Sequence, residues 1–382
     1  MTPSDRLGNG DSRIGEGQTN CRVLAVSYRL NPFRILLISV SSFSCFASAQ
    51  SVAMVDPLPV KVVVLAMFEQ GEDSGDAPGE FQFWVEREGL DTVYPMPHSF
   101  HHVRANDEGV IGTVTGVGTA RAAASVMALG LDPRFDLTKA YWLVAGIAGI
   151  DANDASLGSA AWAEWVVDGD LAHEIDAREI PDNWPTGYVP LRKSTPYEQP
   201  LGANDAGEAY HLNAGLVDWA FQLTEDIELA DTEAMQIRRG YYKGFPNGQK
   251  PPFVLKGDNL AAMTYWHGKR LNRWANDWVD YHTAGQGRYV TTAMEDTGTL
   301  QSLTFLAKAG KVDLDRVLVL RTASNFDMQW PGGTAAESLS GEKLGGYSAY
   351  IPALEAAHKV GSTVVDALVE GWETYLDEIP GN

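Results

Sequence analysis

The residue types that could do chemistry on a small polar ligand gather in two short segments, Met294-Glu295 and Ser324-Asn325-Phe326-Asp327. Each lies where a buried strand should end, after Tyr289-Val290-Thr291-Thr292 in one case and after Val317-Leu318-Val319-Leu320 in the other. In an α/β sheet the carboxyl ends of the strands form the ligand crevice. Three more strand ends add Met67-Phe68-Glu69, Thr115-Gly116 and Gly146, which makes a rim of polar and glycine residues along one edge. Carboxylates accept from vicinal hydroxyls and amides both donate and accept, so this set suits a polyhydroxylated ligand bearing a heterocycle. The same pattern equally allows Glu295 and Asp327 to be helix caps.

Other motifs carry less. Gly116-x-Gly118, after a strand and before a helix, is close to a dinucleotide fingerprint, but Arg121 stands where glycine or alanine is needed. A tight turn with positive φ is an equal reading, and a helix start there would still favour an anion or a hydroxyl group. Asp296-Thr297-Gly298 matches one aspartic-protease tripeptide, yet such an enzyme needs two and the chain has one, opening a helix. Asp296 and Thr297 are therefore expected to act as first-turn caps. Asp151-x-Asn153 begins like a calcium loop, but Ser156 and Trp162 replace its glycine and closing glutamate. His98, His101 and His102 form no HExxH motif, so surface or strand packing is expected of them. No GxSxG elbow supports a serine hydrolase. No metal or cofactor is expected.

The elements that must position these residues alternate strand, glycine turn and helix. Val62–Met67, Val110–Thr115, Tyr141–Ala145, Tyr289–Thr292 and Val317–Arg321 read as buried strands. Helical spacing appears from Phe81 to Glu88, Ala120 to Leu129, Ala209 to Leu223, Ala261 to Asp280, Met294 to Ala309 and Pro352 to Leu376. Trp266, Trp274 and Trp278 fit core packing better than a ligand platform. Residues 178–207, rich in Pro, Asp, Asn and Gly, read as a long loop excursion, and residues 325–346 as another loop. With no repeat and no linker, the expectation is a single α/β domain over residues 59–376, in which helices pack on a central sheet.

Of the 382 residues, 50 are Asp or Glu against 29 Lys or Arg, a formal charge of −21 that disfavours nucleic acid and anionic membranes as partners. Residues 1–49 differ from the rest: a polar stretch, then an apolar run over residues 35–46, then Ala47-Ser48-Ala49. The pattern predicts a leader cleaved near Ala49 and a periplasmic or secreted protein. The run is shorter than the ~20 residues that span a bilayer, so stable membrane insertion is not expected. Both cysteines, Cys21 and Cys45, precede the cut, leaving a thiol-free chain suited to an oxidising compartment.

From Pro59 to the C-terminus the chain resembles the purine nucleoside permease family, related to the nucleoside phosphorylase and nucleosidase fold. Lys61–Glu69, Thr115–Gly118, Phe135–Leu137, Tyr141–Ile150 and Asp176–Trp184 carry the resemblance together. It implies a three-layer α/β domain with a central mixed, partly closed sheet, and a purine nucleoside as ligand. By the same resemblance Glu295 accepts from the ribose hydroxyls beside Met294, the Val254–Asn259 segment packs by the base through Asn259, and Ser324-Asn325 lie where relatives carry the acid that protonates the purine. Glu69 or Glu72 would lie near the glutamate that positions water, and Gly116, Gly118, Gly146 and Ile147 would complete the binding surface. Two departures stand out. Asn325 replaces an aspartate of the nucleosidases and cannot give a proton, a role Asp327 could take on the same strand face. The segment Gly146-Ile147-Ala148-Gly149 lacks the serine, and Val144 replaces the arginine, that hold phosphate in phosphorylases. Hydrolysis of the N-glycosidic bond is thus expected over phosphorolysis. A binding protein feeding a separate transporter and a phosphate-dependent nucleoside phosphorylase are the alternatives, and homo-oligomerisation stays open.

Overall fold

The apolar runs become strands of a twelve-stranded mixed sheet in the computed structural model, which describes residues 56–202, 204, 207–345 and 348–381. The segment read as a leader and both cysteines lie outside the described residues. Val62–Ala66 is buried at every position and runs parallel between Val110–Val114 and Tyr141–Ile150. Val317–Phe326, also buried throughout, pairs in parallel with Tyr141–Ile150 along its length, with a register shift between Ala323 and Asn325. Strands buried on both faces cannot alternate polar and apolar residues, which is why these read as continuous apolar runs.

Part of the sheet closes on itself. Tyr141–Ile150 pairs on one side with Val317–Phe326 and, near its end, antiparallel with Tyr289–Ala293. The ring continues from Val317–Phe326 to Ala160–Ala163, and from Tyr289–Ala293 through Asp258–Ala261 to Trp165–Asp168. Ala160–Ala163 and Trp165–Asp168 are joined through the single residue Glu164, so backbone continuity completes the circuit. Helices flank this sheet. Tyr350–Glu370 packs on the strands containing Val62, Leu143 and Leu318, while Thr119–Gly130 and Asp296–Lys308 pack on each other. Among the described residues no helix is long and apolar enough to cross a membrane.

Several expected helices are shorter, for local reasons. Ala209–His211 is an edge strand on Trp165–Val167, and the helix starts only at Ala214, where Asn213 Oδ1 accepts from Leu216 N–H (3.2 Å) as an N-cap. The helix foreseen from Ala261 begins at Lys269, so Trp266 lies in the loop before it; Trp266, Trp274 and Trp278 are all buried in one apolar cluster with Tyr289. The 325–346 loop contains the helix Ala335–Gly345, and the strand before it runs on to Phe326. In the 178–207 excursion a short strand, Tyr188–Pro190, pairs with Ala172–Glu174.

Candidate functional site

Because Val62–Ala66, Tyr141–Ile150 and Val317–Phe326 are parallel, their carboxyl-side residues emerge together, and the end of Tyr289–Ala293 meets them. They surround a cavity of about 320 Å³. Met294, Glu295, Ile147, Ser324 and Asn325 line it, as do Met67, Phe68, Glu80, Val117, Tyr265 and Tyr350. The described lining holds two carboxylates and no Arg, Lys or His.

Glu295 stands at the start of the helix Asp296–Lys308 and is 4% exposed. Its Oε1 accepts from Gly118 N–H (3.1 Å) and its Oε2 from Met294 N–H (3.1 Å). Gly118 is at φ +95, a conformation that costs an L side chain and that presents the N–H to this carboxylate. The turn after Val110–Val114 thus orients Glu295, while Val117, between the two glycines, provides the wall. Gly116 and Gly118 serve the site from behind instead of lining it. Burial raises the Glu295 pKa, with Arg321 opposing and Asp296 adding to the shift.

Glu69 and Glu72, foreseen near a water-positioning role, do not line the cavity. Glu69 spends its carboxylate on backbone donors: Oε2 accepts from Phe81 N–H (2.8 Å) and Gln82 N–H (2.6 Å), and Oε1 from Gly79 N–H. It closes the loop 70–78 and neutralises the start of the helix Gln82–Arg87, where free N–H groups attract an anion. Glu72 lies in that loop, exposed. The carboxylate that enters the cavity is Glu80, with Oε2 accepting from Met67 N–H and Oε1 from Ile147 N–H, both at 2.7 Å. Full burial pushes its pKa up to about 8, against the pull of Arg321 and with help from Glu295. Sequence reading missed Glu80 because the loop separates it from the strand whose end it occupies in space.

Arg321 joins the two acids. Its guanidinium is 1% exposed and binds Asp296 bidentately, Nε to Oδ1 at 3.0 Å and Nη2 to Oδ2 at 2.8 Å, with Nη2 also 3.3 Å from Glu295 Oε2. Nη1 donates to the Ile147 carbonyl at 3.3 Å. Asp296, expected as a simple cap, is therefore the main counter-ion of a buried arginine. Gly146 makes the arrangement fit: a Cβ there would lie 2.6 Å from both Arg321 Nη1 and Glu80 Oε1.

Opposite the carboxylates, Asn325 has Oδ1 2.8 Å from Ser324 Oγ and Nδ2 donating to the Phe326 carbonyl at 3.1 Å. Asp327 reaches a small side pocket shared with Asn325, Trp266 and Tyr265. It is 1% exposed, and its oxygens accept from Tyr289 Oη and from Asn272 Nδ2 (3.0 and 3.2 Å). Burial first, then the nearby Asp151 charge, pushes its pKa well above the usual carboxylate range, against the hydrogen bonds from Tyr289 and Asn272. Asn259 does not line the cavity: it is fully buried in the strand Asp258–Ala261, accepting from Thr291 Oγ1 at 3.2 Å. Tyr265, in the loop that follows that strand, lines the cavity instead.

Among solved structures, the chain is similar to the 5′-methylthioadenosine/S-adenosylhomocysteine nucleosidase of Helicobacter pylori, at TM-score 0.48 and 13% identity over 81% of this chain and 99% of that one. It is similar at the same score and identity to the futalosine hydrolase of that organism, over 80% of this chain and 97% of the other. Sequence relatives are nearer. A purine nucleoside permease of Candida albicans is 32% identical over 319 residues, 82% of this chain and 76% of the relative. A probable purine nucleoside permease of Schizosaccharomyces pombe is 30% identical over 299 residues, 74% of this chain and 81% of the relative. The purine nucleoside permease family model matches residues 59–380, and the chain belongs to that family.

Proposed function

We propose that the protein binds purine nucleosides and hydrolyses their N-glycosidic bond, as an exported protein whose leader is removed near Ala49. The observation that carries this reading is Glu80, a buried carboxylate fixed by two backbone N–H groups and facing the same cavity as Glu295. Binding alone does not need a second buried acid, and burying one is costly.

Glu295 accepts from the ribose hydroxyls, its orientation set by Gly118, Met294 and Arg321. As the C1′–N bond breaks, its electrons leave with the purine and positive charge develops on the ribosyl ring, which the two carboxylates stabilise. Glu80 removes a proton from the water whose oxygen bonds to C1′. Asn325 offers an amide N–H to the departing base, and Asp327, in the side pocket it shares with Asn325, gives that base a proton. Phosphate is a poor nucleophile here, since Glu80 and Glu295 would repel it and Arg321 is already held by Asp296.

One observation favours the binding-only alternative, in which the protein passes nucleoside to a separate transporter: Asn325, where an acid would do more for the leaving group. Incubation of the purified protein with inosine or adenosine, with and without phosphate, separates the readings by chromatography of free base. Hydrolysis releases base equally in both. Base in neither would leave only binding, and base with phosphate alone would make the protein a phosphorylase.

A further inference from the structure

Three side chains outside the cavity share a geometry that the nucleoside site does not use. The loop 70–78 is closed at its base by Glu69 and held along its length by Asp73, which is 5% exposed. Asp73 Oδ1 lies 3.0 Å from His101 Nε2, and Oδ2 lies 2.6 Å from His102 Nε2. The two imidazole centres are 4.0 Å apart, and one donor atom from each of the three residues falls within 4.8 Å of the others. His101 Nδ1 is 3.1 Å from the His102 carbonyl oxygen, which also accepts from Thr113 Oγ1 at 2.9 Å. That contact keeps a proton on Nδ1 and turns Nε2 toward Asp73, the tautomer control found behind metal-bound histidines.

We propose that Asp73, His101 and His102 form a divalent-cation site, with Asp73 Oδ1 and the two Nε2 atoms as ligands and the remaining positions open to water. Two imidazoles and one carboxylate are a donor set for Zn²⁺ and neighbouring first-row metals, not for Ca²⁺ or Mg²⁺. The rings are 22% and 31% exposed at their side chains, so a cation can enter from solvent. It would replace the Nε2 protons that bridge to Asp73: His101, protonated on Nδ1 as well, releases its Nε2 proton to solvent, and His102 shifts its single proton from Nε2 to Nδ1. Arg104 is the competing charge. Its Nε donates to Oδ2 and its Nη1 to the Leu90 carbonyl at 3.4 Å, so it holds the carboxylate from behind and leaves Oδ1 free for a metal. Acids on or against the same loop offset its charge, with Asp76 accepting from Glu72 N–H and Glu86 from Gly75 N–H. A cation here would tie the loop preceding Glu80 to the strand Val103–Ala105, whatever reaction the cavity performs.

The test uses the full chain stripped with EDTA and titrated calorimetrically with Zn²⁺, beside Co²⁺ as a spectroscopic probe. The expected result is one Zn²⁺ per chain and Co²⁺ d–d bands of a low-coordinate nitrogen–oxygen site. His101→Ala and His102→Ala should each weaken binding on the order of 100-fold and abolish the bands, whereas His98→Ala, altering an exposed neighbour, leaves both unchanged. Circular dichroism of each variant shows that it is folded, and Asp73→Asn keeps the shape while removing the charge. Absence of stoichiometric binding overturns the proposal, as does binding that survives loss of either histidine.

Discussion

The two halves of the same strands obey opposite rules. Toward their amino ends, Val62–Leu65, Trp142–Val144 and Val317–Leu320 are buried apolar residues packed in one core. A few residues further on, Glu295 and Asn325 at the strand ends and Glu80 from the neighbouring loop line a cavity backed by Arg321, where burial is just as deep but the groups are polar. Fully burying an aliphatic side chain contributes about 1.5–3 kcal/mol, while burying an acid costs stability unless hydrogen bonds compensate. The lower half therefore supplies the stability that the upper half spends on a strained electrostatic arrangement. Glu80 and Glu69 make the same contrast within one loop: Glu69 is satisfied by backbone donors and caps a helix, whereas Glu80 is left with a raised pKa beside another acid.

Substitutions in each half should separate these roles. Glu80→Gln carries the largest expected effect, a fall in base release of about 10²–10⁴-fold with nucleoside affinity retained. Its stability should fall by about 1–3 kcal/mol, because the amide can accept from only one of the Met67 and Ile147 N–H groups. A much larger fall would mean that this carboxyl holds the fold together. Leu320→Ala, in the lower half, should cost about 2–5 kcal/mol of stability in denaturant titration and leave the affinity of the folded protein unchanged. Loss of affinity in that variant would blur the division between the halves. Glu295→Gln should weaken nucleoside binding by about 1.5–3 kcal/mol, measured calorimetrically, since it removes a charge-assisted acceptor but keeps the shape. Glu69→Gln is the smallest, about 0.5–1 kcal/mol of stability through the helix start, with turnover nearly unchanged.

Linkage gives the contrast a pH signature. Glu80 ionises at its usual 4.5 when unfolded and at about 8 when folded. Between those values the folded chain binds the extra proton, so this group's contribution to stability falls as pH rises through the window and is constant above it. Glu80→Gln should flatten that part of the stability profile.

Much of this was legible in the sequence, and the gaps have physical causes. Continuous apolar runs marked the central strands because both faces are buried, and the rim of Met294-Glu295 and Ser324-Asn325 followed from where those runs end. Glu80 was not legible, since ten residues separate it from Glu69 and only folding brings its carboxylate to the Met67 N–H. Arg321 read as the end of an apolar strand; its pairing with Asp296 depends on two strand ends meeting across the sheet. Asn259 was misplaced because its strand pairs on both sides and buries the amide in the sheet. The His101–His102 pair looked like packing until the loop placed Asp73 against it.

Whether Glu80 is the base of a hydrolytic site is tested most directly by the pH dependence of kcat/KM for base release. With Glu80 as the base, the rate rises about tenfold per pH unit and levels near pH 8, and that limb is missing in Glu80→Gln. A profile without the limb, or one that Glu80→Gln leaves intact, would contradict it.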